Sequence, residues 1–433
     1  MRKILIFILK KLSQLIIWRF QTDVIAITGS VGKTSAKEAI FAVLKDKRRI
    51  RKSISGLNTE IGLPLSIIGD EKDFPEKKLR LVAPNSFFSV KSDKKILKLF
   101  FWAKALFLGL SRLILTAKAS YPEILILEYA VGHPGDMSAL LEIAKPKIGV
   151  ITAIGDIPSH VEFFSGSEAV IKEKAKLIES LWVGGFAVLN SDDEKVVGLN
   201  EKTRAKIMTF GFKEGADLRI SGLEKKLGID KPIGISFKFE YDGSFVPVYL
   251  NGIIGVSHVY AAAAGVAVGL IYGLNLVEAA ESFSLNYKPL KGRMNLISGK
   301  KNIYIIDDSY NASPLSVKLA LETLEDVKNL RKVVILGDML ELGDFSEEVH
   351  QAIGKKITAS IADILITVGP LAKIISDEAK KSGLNEEKIF IFNSADEALK
   401  SIDGIIQAND IVLIKASRAI GLDKIVDYLS RDL

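Results

Sequence analysis

The chain has 433 residues, enough for about three domains of about 150 residues each, and its 48% apolar and 26% charged composition supports a sizeable core. Disordered, collagenous and disulfide-stapled classes are excluded, and the absence of cysteine removes thiolate metal sites and thiol nucleophiles and fits a reducing compartment. The net charge of +7 is concentrated: residues 1–22 carry +5 and residues 94–118 carry +6, with no acid in either, which leaves −4 for the rest and argues against a nucleic-acid binder.

The first predicted element is a short basic amphipathic helix within residues 1–22. Its apolar run before Lys10 is too short for a signal peptide, and its charges interrupt it too often for it to span a bilayer. Helical spacing puts Ile4, Ile8, Leu12 and Leu15 on one face and Lys3, Lys10 and Gln14 on another. Residues 94–118 behave alike, with Leu99, Ala103, Leu106, Leu110 and Ile114 opposite Lys98 and Arg112. Two readings are open for both segments. They are interfacial helices in peripheral contact with a membrane, or they pack on the protein's own core or a second copy with lysines at the rim.

From residue 23 an alternating α/β pattern begins. Val24–Thr28, Ile124–Glu128, Ile148–Thr152 and Ala187–Asn190 are short apolar runs of the parallel-sheet kind, and a helix is expected over 167–182. Ile235, Phe237, Phe239 and Tyr241 alternate before an Asp242-Gly243 turn into SFVPVYL, which predicts a hairpin. Ala261–Ile271 is a small-residue helix, and Lys288–Gly292 is a linker. Five further apolar runs, 303–307, 333–337, 364–368, 389–392 and 411–415, predict a second parallel sheet. The expected fold is α/β: a central phosphate-loop domain with a mainly parallel sheet over 23–288 and a C-terminal Rossmann-like domain over 289–433, preceded by the helix of 1–22.

TGSVGKTS (Thr28–Ser35) joins the first strand to a helix. Gly29 and Gly32 let the backbone approach phosphate, and amides at Ser30 and Ser35 lie where a helix start points at an anion. Lys33 can neutralise phosphate charge and the Thr34 hydroxyl can ligate Mg²⁺. The spacing is shorter than the usual G-x-x-x-x-G-K-[ST], because position 27 is Ile.

The short form T-G-[ST]-x-G-K-[ST]-[ST] resembles that of the Mur ligase family, and the resemblance continues nearly to the end. NTEIGLP (Asn58–Pro64), LEYAVGHPGDM (Leu127–Met137) and ITAIGDIPSHVEFF (Ile151–Phe164) are similar to family segments. GRM (Gly292–Met294), DDSYNASPLS (Asp307–Ser316), LGDMLELG (Leu336–Gly343) with His350, and KASR (Lys415–Arg418) resemble the branch that adds D-alanyl-D-alanine to a UDP-N-acetylmuramoyl-tripeptide.

The resemblance implies a cytoplasmic ATP-dependent amide ligase of peptidoglycan precursor synthesis, acting through an acyl phosphate. It implies ATP and two Mg²⁺ ions as cofactors, with Thr34, Glu128, His160 and Lys174 as metal ligands and Lys174 carbamylated. Lys33, Glu128, His160 and Lys174 are then the catalytic candidates. Arg293, Asp308 and Asn311 would close over ATP, and Asn58, Thr59, Lys415, Ser417 and Arg418 would face the UDP-muramoyl-peptide, D-alanyl-D-alanine or the acyl phosphate. From composition alone, Lys174 among Lys172, Glu173 and Lys176 reads as a solvated helix face.

Departures from the pattern leave alternatives open. The family usually carries a separate N-terminal domain for the UDP part, and about 22 residues precede the first strand here. The stretch 69–93 and the helix of 94–118 are candidates to compensate. In GVSHVYAAAA the segment that normally meets adenine carries Ser257, His258 and Ala261, and His258 is a candidate base contact or a helix-start residue. A ligase with another wall or poly-amino-acid substrate, and a non-catalytic nucleotide-binding scaffold at the membrane, are the competing readings.

Overall fold

The computed structural model describes residues 2–75, 95–227 and 232–430. Of the stretch 69–93, residues 76–93 fall outside it, as does Lys94.

Buried β-branched runs build the first sheet. Its strands are β1 (Asp23–Thr28), β2 (Ile50–Lys52), β3 (Ile124–Glu128), β4 (Ile148–Ile151), β5 (Phe186–Asn190), β6 (Lys206–Gly211), β7 (Leu218–Leu227), β8 (Pro232–Tyr241) and β9 (Ser244–Asn251). Their order is β2-β3-β1-β4-β5-β6-β7-β8-β9. The strands run parallel from β2 to β7, then antiparallel through β8 and β9, so the predicted hairpin extends the parallel sheet. The short β2 and the partly exposed β6 carry too little apolar pattern to announce themselves.

One face of this sheet is covered by the helices Lys33–Leu44 and Val256–Ile271. Their alanines and glycines allow close approach: a Cβ on Gly265 would fall 2.9 Å from the Ala39 backbone. The other face is covered by Arg2–Phe20, Gly62–Ile68, Lys95–Ile114, Asp136–Ile143 and Ser167–Glu179.

The outer helices correct the expected faces. Leu9, Leu12, Ile16 and Phe20 point inward from Arg2–Phe20, while Ile4, Ile8 and Leu15 of the predicted stripe face out. Lys95–Ile114 turns Ala105 and Gly109 inward, and Leu99, Ala103, Leu110 and Ile114 outward. Gly109 permits this approach, since a Cβ there would lie 3.0 Å from the Leu12 side chain. Both helices are apolar nearly all round, so periodicity alone does not select the buried side.

The second sheet contains β10 (Asn295–Ser298), β11 (Tyr304–Asp307), β12 (Lys332–Gly337), β13 (Ile364–Val368), β14 (Ile389–Phe392) and β15 (Ile411–Lys415), in the order β10-β11-β15-β12-β13-β14. All its pairs are parallel except β10 with β11. The two domains meet through a bridge between Ile253 and Asn295, an ion pair between Lys225 and Asp326, and the pair His160–Glu341.

Candidate active site

β1 lies between β3 and β4, so the loop leaving its carboxyl end has Glu128 on one side and Thr152 on the other. Carboxyl ends of strands in an open α/β sheet are where ligands settle. Gly29 has φ 146°, and a Cβ there would fall 2.2 Å from Thr152 Oγ1, so no other residue fits. Gly32, with φ 86°, precedes the helix Lys33–Leu44 and turns the chain into it.

Glu128 is the hub. Its Oε2 accepts from Thr34 Oγ1 at 3.0 Å and its Oε1 from Asn58 Nδ2 at 3.2 Å. Lys37 Nζ lies 3.8 Å away and donates to Ser53 O at 3.1 Å. Burial alone would raise the Glu128 carboxyl, but Lys37, Lys33 and Arg293 outweigh it and hold the group below the ordinary carboxylate range. Burial pulls both lysines down from their ordinary value, with Glu128 opposing it. Lys33 turns its amine back on the loop, donating to Gly29 O at 2.7 Å and Ser30 O at 3.3 Å.

Across the cavity stands the second domain. Lys415 Nζ pairs with Asp308 Oδ2 at 2.6 Å and donates to Asn311 O at 2.8 Å. Asp308 also accepts from Met294 N at 3.1 Å, and its burial still leaves its carboxyl raised. The Arg293 guanidinium lies 4.1 Å from the centroid of the Tyr310 ring, and Arg418 lies 5.0 Å from it while donating to Tyr310 Oη. Together these walls enclose a cavity of about 240 Å³, lined among others by Ser30, Lys33, Glu128, Arg293, Asp308 and Lys415. Thr34, Ser35, Asn58, His160 and Asn311 also line it.

Other predicted residues lie elsewhere. Thr59 is exposed, and its hydroxyl accepts from Gly62 N at the start of a helix. Ser417 is buried and accepts from Leu340 N at 2.9 Å, fixing the loop after β12. Arg418 lines a neighbouring cleft with Arg51, Lys52 and Lys291. Lys174 is 1% exposed and does not line the cavity. Burial lowers its amine to about 7, with Lys33 adding to the effect and Glu173 opposing it. Of the face that composition suggests is solvated, Lys174 and Glu173 are turned inward while Lys172 stays exposed, and buried Glu173 accepts from Met137 N at 3.0 Å.

His160 adopts φ 66°, and its Nδ1 lies 2.5 Å from Glu341 Oε2 of the second domain. That hydrogen bond is the main cause that holds the Glu341 carboxyl below its ordinary value. His258 is a helix-start residue facing inward. It meets Tyr287 Oη at 2.7 Å, and burial lowers it to about 4. A second cavity of about 430 Å³ beside Gly32 is lined instead by Ser257, Tyr260, Asn190 and Phe210.

Lys37, Glu341 and Asp307 were not singled out from sequence. Lys37 had a readable signal, since it follows Lys33 by one helical turn. Asp307 accepts from Gly292 N at 2.8 Å and ties the linker to β11. Glu341 lies within LGDMLELG, but its partner, His160, is remote in sequence.

The residues present fit a nucleotide phosphate and one divalent ion. Ser30 Oγ is buried without a protein partner in the loop, where a phosphate oxygen would satisfy it. Thr34 and Glu128 offer two hard oxygen donors side by side. Among the described residues no three His, Cys, Asp or Glu side chains cluster as a metal site.

Residues 107–269 match the Mur ligase middle domain, and residues 292–418 match the Mur ligase, glutamate ligase domain. A relative from Bacillus subtilis (strain 168), UDP-N-acetylmuramoyl-tripeptide–D-alanyl-D-alanine ligase, is 27% identical over 422 residues, covering 97% of this chain and 79% of the relative. The crystal structure of MurF ligase from Thermotoga maritima in complex with ADP superposes with a TM-score of 0.74 at 26% identity, covering 98% of this chain and 82% of that one. MurF from Acinetobacter baumannii shares the fold with a TM-score of 0.75 at 24% identity, covering 96% of this chain and 79% of that one.

Proposed function

The chain belongs to the Mur ligase family, and from that premise we propose that it joins D-alanyl-D-alanine to the peptide of a UDP-N-acetylmuramoyl-tripeptide, with ATP converted to ADP and phosphate. The observation that carries this reading is the meeting of Lys33, Thr34 and Glu128 with Arg293 and Lys415 around one cavity.

The chemistry needs two anions, a carboxylate and a γ-phosphate, held in contact. The carboxylate oxygen attacks the γ-phosphorus and ADP leaves, giving an acyl phosphate. The amine of D-alanyl-D-alanine then attacks the carbonyl carbon, the C–O bond breaks, phosphate leaves and the amine loses a proton. In this reading the loop amides, Ser30 and Lys33 hold the polyphosphate, and Arg293 faces it from the other domain. Asp308, Asn311 and Lys415 shape the far wall where nucleotide and acceptor meet, and Arg418 stands at the acceptor's entry. The base takes the cavity beside Gly32, with Ser257 and Tyr260 in reach.

Thr34 and Glu128 would hold one Mg²⁺, which would neutralise phosphate charge when bound. His160 and Lys174 belong to the proposal for a second ion, with Lys174 as its carbamate. An amine lowered to about 7 is about half neutral near pH 7, and the neutral amine is the form that adds to CO₂. His160 would hold that ion in place of its contact with Glu341, which would part this link between the domains.

Phosphate release from ATP should require both UDP-N-acetylmuramoyl-tripeptide and D-alanyl-D-alanine when each is omitted in turn. Release under no combination would leave the non-catalytic scaffold. Lys174→Ala should lose most turnover and regain part of it with small carboxylates. A fully active variant would remove the carbamate. Peripheral membrane contact of residues 1–22 and 94–118 is a separate proposal.

A further inference from the structure

The outer layer of the first domain carries an apolar surface that the ligase reading does not use. The helix Arg2–Phe20 sends Leu9, Leu12, Ile16 and Phe20 into the core, yet its outward side is apolar too. Ile4, Phe7, Ile8, Leu15 and Trp18 face out, with Trp18 71% exposed. The adjoining helix Lys95–Ile114 repeats this with Leu99, Phe100, Phe107, Leu110 and Ile114, and Phe107 is 68% exposed. Members of each set recur three or four residues apart, so each forms an outward stripe. A helix apolar all round belongs in an interior or against lipid, and an apolar patch of this extent marks an interaction site.

The charge around the stripes selects the partner. Residues 1–22 and 94–118 carry +5 and +6 with no acid. Lys10 and Arg112 are paired with Glu142 and Asp73. Lys3, Lys11 and Lys118 are exposed. A second copy docked here would bring like charges together, which is costly, whereas anionic headgroups complement them. No described helix is long and apolar enough to cross a membrane, so the helices would lie along the interface.

We propose that the helices Arg2–Phe20 and Lys95–Ile114 dock the protein on a bilayer surface bearing anionic lipid headgroups, with Phe7, Trp18, Phe100 and Phe107 at the headgroup boundary. The inference does not depend on the ligase reading.

Flotation of the full-length chain with phosphatidylglycerol/phosphatidylcholine vesicles, against phosphatidylcholine alone, tests it. The protein should float with the anionic vesicles and about tenfold less with the neutral ones, and salt raised from about 0.1 M to about 0.5 M should release it. Tryptophan emission should shift to the blue on anionic vesicles. The variant Trp18→Ser/Phe107→Ser should keep its circular dichroism and melting curve and lose about tenfold or more of the partitioning. Should that variant misfold, Lys3→Glu/Lys11→Glu should also weaken flotation. Equal flotation of folded variant and parent, or none with anionic vesicles, overturns the proposal. So does a dimer that the same substitutions dissociate while nothing floats, since that assigns the surface to a second copy.

Discussion

On the first-domain wall of the cavity, one carboxylate, Glu128, is shared by Lys37, Thr34 and Asn58, and Lys33 rests on loop carbonyls. On the second-domain wall, Lys415 and Asp308 close on each other, and Arg293 lies against Tyr310. The first wall therefore holds two lysines, Lys37 buried and Lys33 half-buried, for one carboxylate, an excess of positive charge that suits an anion. The second is neutral within its pair and contributes Arg293 as its outward cation. Under the proposed function, charge on the two walls divides the work: one receives the polyphosphate, the other fixes the geometry against which it is received.

Changing the hub should break this contrast most severely. Glu128→Ala leaves Lys33 and Lys37 without the carboxylate that opposes their charge and removes the oxygen beside Thr34. Turnover, followed as phosphate release, should fall about a thousandfold. A drop of less than about tenfold would mean that Glu128 is not part of the reacting centre.

Next in size is the self-closed pair. Lys415→Met leaves Asp308 buried without its cation and should cost about 3–5 kcal/mol in denaturant unfolding. Lys415→Met/Asp308→Asn should recover most of that loss. The single variant should gain stability as pH falls, because the carboxyl, already raised by burial, is then protonated in the folded state.

Lys174, buried outside the cavity lining, gives the first domain a pH dependence of its own. Its amine sits at about 7 in the fold against an ordinary 10.5, so between these values the unfolded chain binds the extra proton. In CO₂-depleted buffer, stability should rise from pH 7 toward 10 and flatten below 7. Lys174→Met should abolish that rise, as read from urea unfolding at each pH. The smallest effect belongs to the bridge between the domains. Glu341 is about half exposed, so Glu341→Gln should change stability by about 0–1 kcal/mol in thermal melts.

Much of the phosphate-loop wall was legible because its signals are local. A strand, a glycine turn and Lys33-Thr34 at a helix start fall within a dozen residues, and Glu128 ends a run of buried aliphatics. The burial of Lys174 was not legible, since charged neighbours at 172, 173 and 176 look solvated until the helix is packed. The His160–Glu341 pair joins residues far apart in sequence, which no local pattern encodes. For the helix Arg2–Phe20 the obstacle was different. Apolar residues surround it, so the side taken by the core is chosen by the partner helices, Gly62–Ile68 and Lys95–Ile114.

The central claim is that a substrate carboxylate is phosphorylated between these two walls. Isotope transfer reads that step directly: the tripeptide substrate carries ¹⁸O in its reacting carboxylate, and the released phosphate is analysed by mass spectrometry during D-alanyl-D-alanine addition. One labelled oxygen should appear in each phosphate released. Amide formation with wholly unlabelled phosphate would contradict the account.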